Sequence, residues 1–145
     1  GETSYEAQGP MLLESMCRRA GESVALPIAV DDRGIARSDW QPLFERLAGS
    51  SAPPAELAEL FHTSMAGVVL AQARFVREQK NIDCVGLTGG VFQNRVLAEQ
   101  TLALLKSDGF DVRLSTTLPC NDAALCFGQA AEVAALASGQ PAGGA

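Results

Sequence analysis

The feature that most restricts this chain is an alternation in its second half. A short apolar run, Cys84 to Leu87, meets the diglycine Gly89-Gly90 and then a helical pattern from about Gln93 to Lys106. In that pattern Leu97, Thr101, Leu104 and Leu105 fall on one side. A second apolar run, Val112 to Leu114, meets Pro119-Cys120-Asn121-Asp122 and a last helical pattern from about Asp122 to Ala137. Strands alternating with helices predict an α/β fold, a mixed sheet covered by helices. In such sheets ligands gather at the carboxyl ends of the strands. Both turns follow strands and lead into helices, so they are expected on one edge of the sheet, facing a common crevice.

The first half supplies the rest of a single domain. Tyr5 to Arg19 reads as a helix through Met11, Leu12, Met16 and Cys17, and Gly21 ends it. Val24 to Val30 predicts a strand, Asp31 to Gly34 a turn, and Ile35 to Arg37 a return strand. Asp39 caps a helix carrying Leu43, Phe44 and Leu47, and 49–54 is a Gly/Ser/Pro loop. A long helix from about Ala55 to Lys80 then bears the stripe Leu57, Phe61, Ser64, Met65, Val68 and Phe75. Residues 1–137 form the domain on this reading, and 138–145 a flexible Gly/Pro/Ala tail.

Composition narrows the function. The 145 residues are 47% hydrophobic and 19% charged, a globular balance, and the net charge of -6 disfavours phosphate backbones as partners. No apolar run has the length of a membrane span and no signal peptide opens the chain, so a soluble, cytoplasmic protein is expected, with neither nucleic acid nor membrane as partner. Cys17, Cys84, Cys120 and Cys126 form no CxxC pair and are expected to be buried free thiols. His62 is the only histidine, too few for a histidine-rich metal site.

The candidate ligand contacts lie at the two turns. Paired glycines after a strand let the backbone approach a phosphate or ribose, and the following helix offers free N–H groups and a positive dipole end to an anion. Asn94, in the first turn, can bond a nucleotide or cap the backbone. Tight turns between strand and helix also use glycine for geometry alone. At the second turn Asn121 is a good cap, and Asp122 shares a face with Leu125, Gln129, Val133 and Leu136 that is expected to point inward. An inward carboxylate there caps, pairs or holds a metal. His62 borders an apolar stripe, the usual place of a core-edge histidine bonded to backbone. Cys120, near a helix start, is either an activated thiol or a packed one. Glu6 can meet ribose hydroxyls or favour a helix dipole. Arg18-Arg19 and Arg74, Arg77 and Lys80 read as solvated faces or helix-end charges.

Taken together, Ser4-Tyr5-Glu6-Ala7-Gln8, Phe61-His62, Gly89-Gly90-Val91-Phe92-Gln93-Asn94, Pro119-Cys120-Asn121-Asp122 and Gly128-Gln129-Ala130 resemble, in order and spacing, the hydrogenase-maturation carbamoyltransferase family HypF. The resemblance runs from about Ser4 to Ala137 and lies in the C-terminal part of the family's last, TsaD-like domain. It implies one lobe of the actin-like ATPase and sugar-kinase (ribonuclease H-like) fold. It also implies a chemistry in which carbamoyl phosphate and ATP yield carbamoyl adenylate, whose carbamoyl group passes to the C-terminal cysteine of a HypE-like acceptor. By this similarity Gly89, Gly90, Asn94 and Glu6 bind the nucleotide. Asp122 ligates a divalent metal, iron or zinc, completed by histidines in an N-terminal half outside this chain. The attacking thiolate belongs to the acceptor, so no catalytic residue is expected here and the chain alone is expected to be inactive. The family usually carries glycine after the Tyr-Glu pair, where this chain has Ala7. Two alternatives stand beside this reading: a related carbamoyl or threonylcarbamoyl transferase lobe, and a non-catalytic nucleotide- or partner-binding module.

Overall fold

A computed structural model describes residues 3–139, so that 140–145, most of the expected flexible tail, lie outside the described residues. The elements are α1 (Gln8–Met16), β1 (Ile28–Val30), β2 (Ala36–Ser38), α2 (Gln41–Ala48), α3 (Pro54–Lys80), β3 (Cys84–Leu87), α4 (Arg95–Ser107), β4 (Asp111–Leu114) and α5 (Leu125–Ala137). Short 3-10 turns at Gly90–Gln93 and Asp122–Ala124 precede α4 and α5.

The axis of the molecule is α3, 27 residues long. Proline in its first turn, Glu56 at its start and Arg77 and Lys80 at its end suit the helix dipole, and Asn81 stops it in the left-handed conformation. Its faces serve two cores. Val68 and Phe61 pack with Leu26, Leu43, Val24 and Leu47, whereas Val69, Leu70 and Ala73 pack with Leu87, Leu105 and Phe110. Adjacent helical residues point about 100° apart, which is why Val68 and Val69 reach different cores.

The α/β character holds, but the single mixed sheet does not. β1 and β2 form an antiparallel pair, β3 and β4 a parallel pair with Cys84 opposite Asp111 and Leu87 opposite Leu114, and no ladder joins the two. The parallel pair supplies Val85, Leu87, Val112 and Leu114 to one core, the other core is built from Leu26, Leu43 and their neighbours, and α3 contributes to both. The expected strand from Val24 is also shorter. The Val24 amide donates to Ser64 Oγ (2.9 Å) and the Gly21 amide to Thr63 Oγ1 (3.0 Å), so this stretch bonds to α3 side chains and becomes a ladder only at Ile28.

Three further expectations are corrected. The stripe of Leu125, Val133 and Leu136 faces outward, each 64–65% exposed, because nothing among the described residues packs over α5. The four thiols are free, but Cys84 and Cys126 are exposed and Cys17 and Cys120 half-buried. Arg77 is the helix-end charge expected, but neither it nor Arg74 is merely solvated. Both bind the Asp108 carboxylate at the end of α4, and the Arg77 guanidinium lies 4.1 Å from the Phe110 ring centre. The hydrogen bond from Arg74 holds the Asp108 carboxyl at about 2, well below its ordinary 3.8.

Candidate functional site

β3 ends at Leu87, and Gly89 then takes φ 104° and ψ 156°, a conformation that side chains forbid. This turn aims the Gly89 amide at the Cys120 carbonyl, 2.6 Å away, and the Thr88 hydroxyl donates to the same oxygen at 3.3 Å. The loop after β4 is thereby held against the loop after β3. An added Cβ at Gly90 would stand 4.0 Å from Asn121 Cβ. The diglycine corner and the aspartate corner meet, as expected of turns that both follow parallel strands.

Their union separates two hollows. On one side lies an apolar cavity of about 830 Å³, bounded by Ala7, Phe61, His62, Met65, Gly90 and Asn94 among others. On the other a groove of about 400 Å³ runs past Gly89, Cys120, Asn121, Asp122, Gln129 and Glu132. The structure brings Gly90 and Asn94 to the first and Gly89 and Asp122 to the second. Glu6 is exposed, and its neighbour Ala7, at φ 65°, lines the cavity.

The start of α4 differs from the expectation of a free anion site. Asn94 caps it, Oδ1 accepting from the Leu97 amide at 2.9 Å, and Glu14 of α1 reaches across to accept from the Arg95 amide at 2.8 Å. The chain supplies its own anion to this helix end, which suits the dipole. The Gly90 and Val91 amides, at the preceding 3-10 turn, have no hydrogen-bond acceptor among the described residues. Glu14 escaped the sequence reading because nothing local marks a contact between α1 and α4.

His62 is 1% exposed, and its Nδ1–H donates to the Ala58 carbonyl at 2.8 Å, the backbone-bonded core-edge histidine expected. Its second contact was not anticipated: Nε2 accepts from Asn94 Nδ2 at 2.9 Å. Cys17, on the α1 side, has its thiol pushed up by burial and then by the Glu59 carboxylate, so it is not an activated nucleophile.

At the aspartate corner Asn121 makes the cap, Oδ1 accepting from the Ala123 amide at 3.2 Å. That leaves the exposed Asp122 carboxylate without a hydrogen bond or ion pair among the described residues. The expected inward orientation is corrected, because α5 has no inner side here. As a metal ligand set this chain is incomplete. Among the described residues no three His, Cys, Asp or Glu side chains cluster, and both His62 nitrogens are engaged. The residues present fit one ligand, Asp122, on an open groove.

Residues 1–129 match the family described as "Carbamoyltransferase, Kae1-like Domain, second subdomain". This chain belongs to the HypF carbamoyltransferase family. Carbamoyltransferase HypF of Rhodobacter capsulatus is 37% identical over 132 residues, covering 91% of this chain and 17% of the relative. HypF of Synechocystis is 29% identical over 130 residues, 88% of this chain and 16% of that one. The structure of full-length HypF in the phosphate- and nucleotide-bound form matches 97% of this chain with a TM-score of 0.84 and 27% identity, over 19% of its own length. The chain thus spans about one sixth of the length of these two HypF relatives. No helix among the described residues is long and apolar enough to cross a membrane.

Proposed function

We propose that this subdomain forms the nucleotide-facing wall of a cytoplasmic HypF-type carbamoyltransferase, with the lobe architecture of the actin-like ATPases and sugar kinases. In that enzyme ATP and carbamoyl phosphate give a carbamoyl adenylate with release of pyrophosphate and phosphate, and the carbamoyl group passes to the C-terminal cysteine of a HypE-like acceptor as AMP leaves. One observation carries the reading: the apolar cavity and the groove that bears the Asp122 carboxylate adjoin at the diglycine, with Ala7 (next to Glu6), Gly90 and Asn94 on one side and Asp122 on the other. A nucleotide has that division of character, an apolar base at one end and charged phosphates at the other. Ligand sites are typically apolar hollows of about 300–1,000 Å³ with a few placed polar groups.

In this reading the cavity takes the base, Glu6 stands towards the ribose hydroxyls, and the Gly90 and Val91 amides donate to phosphate oxygens. Asn94 takes part chiefly by fixing the corner, since its carbonyl oxygen caps α4. Asp122 contributes one carboxylate to a divalent iron or zinc ion, whose remaining ligands are histidines of the family's other half. When bound, such an ion supplies Lewis acidity towards a carbonyl oxygen. The nucleophile is the acceptor's thiolate, so this chain orients and holds but does not attack. Alone it offers half a cleft, and affinity suffers when one wall is missing.

The test is a titration of an ATP analogue and of a divalent metal into the full-length enzyme containing this subdomain, as wild type, Gly90→Val and Asp122→Ala. Gly90→Val is expected to weaken nucleotide binding and leave metal binding intact, and Asp122→Ala the reverse. If neither substitution changes either titration, the subdomain is a non-catalytic docking module. Carbamoyl transfer from carbamoyl phosphate by the chain on its own would overturn the expectation that this chain alone is inactive.

A further inference from the structure

We infer that His62 is a positioning residue for the diglycine corner, acting through Asn94; its functional consequence rests on the nucleotide reading above, its structural role on geometry alone. The ring lies inside the molecule, edge-on to Phe61 at 5.8 Å and 86°. The Ala58 carbonyl can only accept a hydrogen bond, so it holds the proton on Nδ1 and leaves Nε2 as a lone pair. That lone pair can only accept, so the Asn94 amide must turn its NH2 towards it. The Asn94 oxygen is then left facing the Leu97 amide, where it caps α4. Reversing the amide would set oxygen against the imidazole lone pair and NH2 against an N–H, losing both bonds.

The selection reaches the corner by one more step. The backbone N–H of Asn94 closes the 3-10 turn by donating to the Val91 carbonyl at 3.1 Å, and this turn carries the unpartnered Gly90 and Val91 amides. His62, Asn94 and Gly90 all line the 830 Å³ cavity. A histidine inside α3 therefore decides, through a tautomer, how a loop lining that cavity is held.

The chain has one histidine, so its imidazole nitrogens are observed without ambiguity by nitrogen-15 NMR. Nδ1 is expected to carry the proton, and Asn94→Ser, which keeps a capping oxygen but removes the NH2, is expected to shift the Nε2 signal. The second measurement compares two isosteres. In His62→Gln the terminal amide falls near the place of Nε2 and can accept from Asn94; in His62→Asn it falls near Nδ1 and cannot. Protection of the Leu97 amide from hydrogen exchange is expected to survive in His62→Gln and to fall about tenfold in His62→Asn, the effect of one unmet buried hydrogen bond. Affinity for adenosine 5′-monophosphate, the probe, is expected to follow the same order.

A proton found on Nε2, an Nε2 signal indifferent to Asn94→Ser, or equal Leu97 protection in the two isosteres overturns the positioning role. If a His62 variant does not fold, the imidazole spectra of the wild type and Asn94→Ser still decide. If the wild type binds no adenosine monophosphate while Leu97 protection follows the expected order, the nucleotide reading fails and the positioning role stands.

Discussion

Gly89 donates its amide hydrogen to the Cys120 carbonyl across 2.6 Å, and this bond joins the two corners on which the site depends. The geometry requires φ 104° at Gly89, while an added Cβ would meet nothing within 4 Å. The obstacle to a side chain there is backbone strain and not crowding. Gly89→Ala is expected to cost about 1–3 kcal/mol. Gly90→Ala places its Cβ in ordinary contact at 4.0 Å and is expected to stay within about 0.5 kcal/mol. Urea denaturation of both variants checks the contrast, and coincident midpoints would remove the strain from the account.

A second strained residue stands before α1. Ala7 adopts φ 65° and ψ 1° where the family resemblance leads one to expect glycine. Left-handed backbone costs an L-residue about 1–2 kcal/mol. Glycine's greater freedom in the unfolded chain offsets part of the relief. Ala7→Gly is expected to stabilise by about 0.5–1 kcal/mol. A lower denaturation midpoint for Ala7→Gly would show that the left-handed turn is not what the alanine endures.

Periodicity made α3 and β3 legible to within a residue, because both bury a regular face in this chain. It also located the two corners, since tight turns between strands and helices demand glycine and capping residues. The same reasoning located α5 but misjudged which way its stripe faces. Its apolar stripe reports surface suited to burial and says nothing of whether the covering surface lies in the same chain. Glu14 on the Arg95 amide, His62 on Asn94, and Arg74 and Arg77 on Asp108 were illegible for another cause. Each joins elements distant in sequence, and a charged or polar residue looks the same in a pattern whether it meets solvent or a partner.

The Arg74–Asp108–Arg77 cluster makes stability depend on pH in a definite direction. The carboxyl lies at about 2 in the fold against 3.8 ordinarily, so the fold favours the ionised form. Its stabilisation is complete above about pH 4 and is lost as pH falls through about 2. Asp111, lowered by its hydrogen bond from Arg113, acts with the same sign. Urea midpoints followed downward from about pH 5 are expected to fall for the wild type and to fall less steeply for Asp108→Asn. Parallel curves for the two proteins would mean that the cluster forms equally well in the unfolded chain or not at all.

At the aspartate corner two adjacent side chains divide the work, and stability separates them from function. Asn121 accepts from the Ala123 amide, so Asn121→Ala leaves a donor unmet at the start of the turn and is expected to cost about 1 kcal/mol. Asp122 is exposed and bonds to nothing among the described residues, so Asp122→Ala is expected to move stability by less than about 0.5 kcal/mol. In the full-length enzyme the proposed reading gives the opposite ranking for metal content, with Asp122→Ala depleted and Asn121→Ala nearly normal once folded. Denaturation midpoints together with metal analysis of the purified variants test both rankings. An Asp122→Ala protein as destabilised as Asn121→Ala would make the carboxylate a capping group and take away its claim to be a ligand.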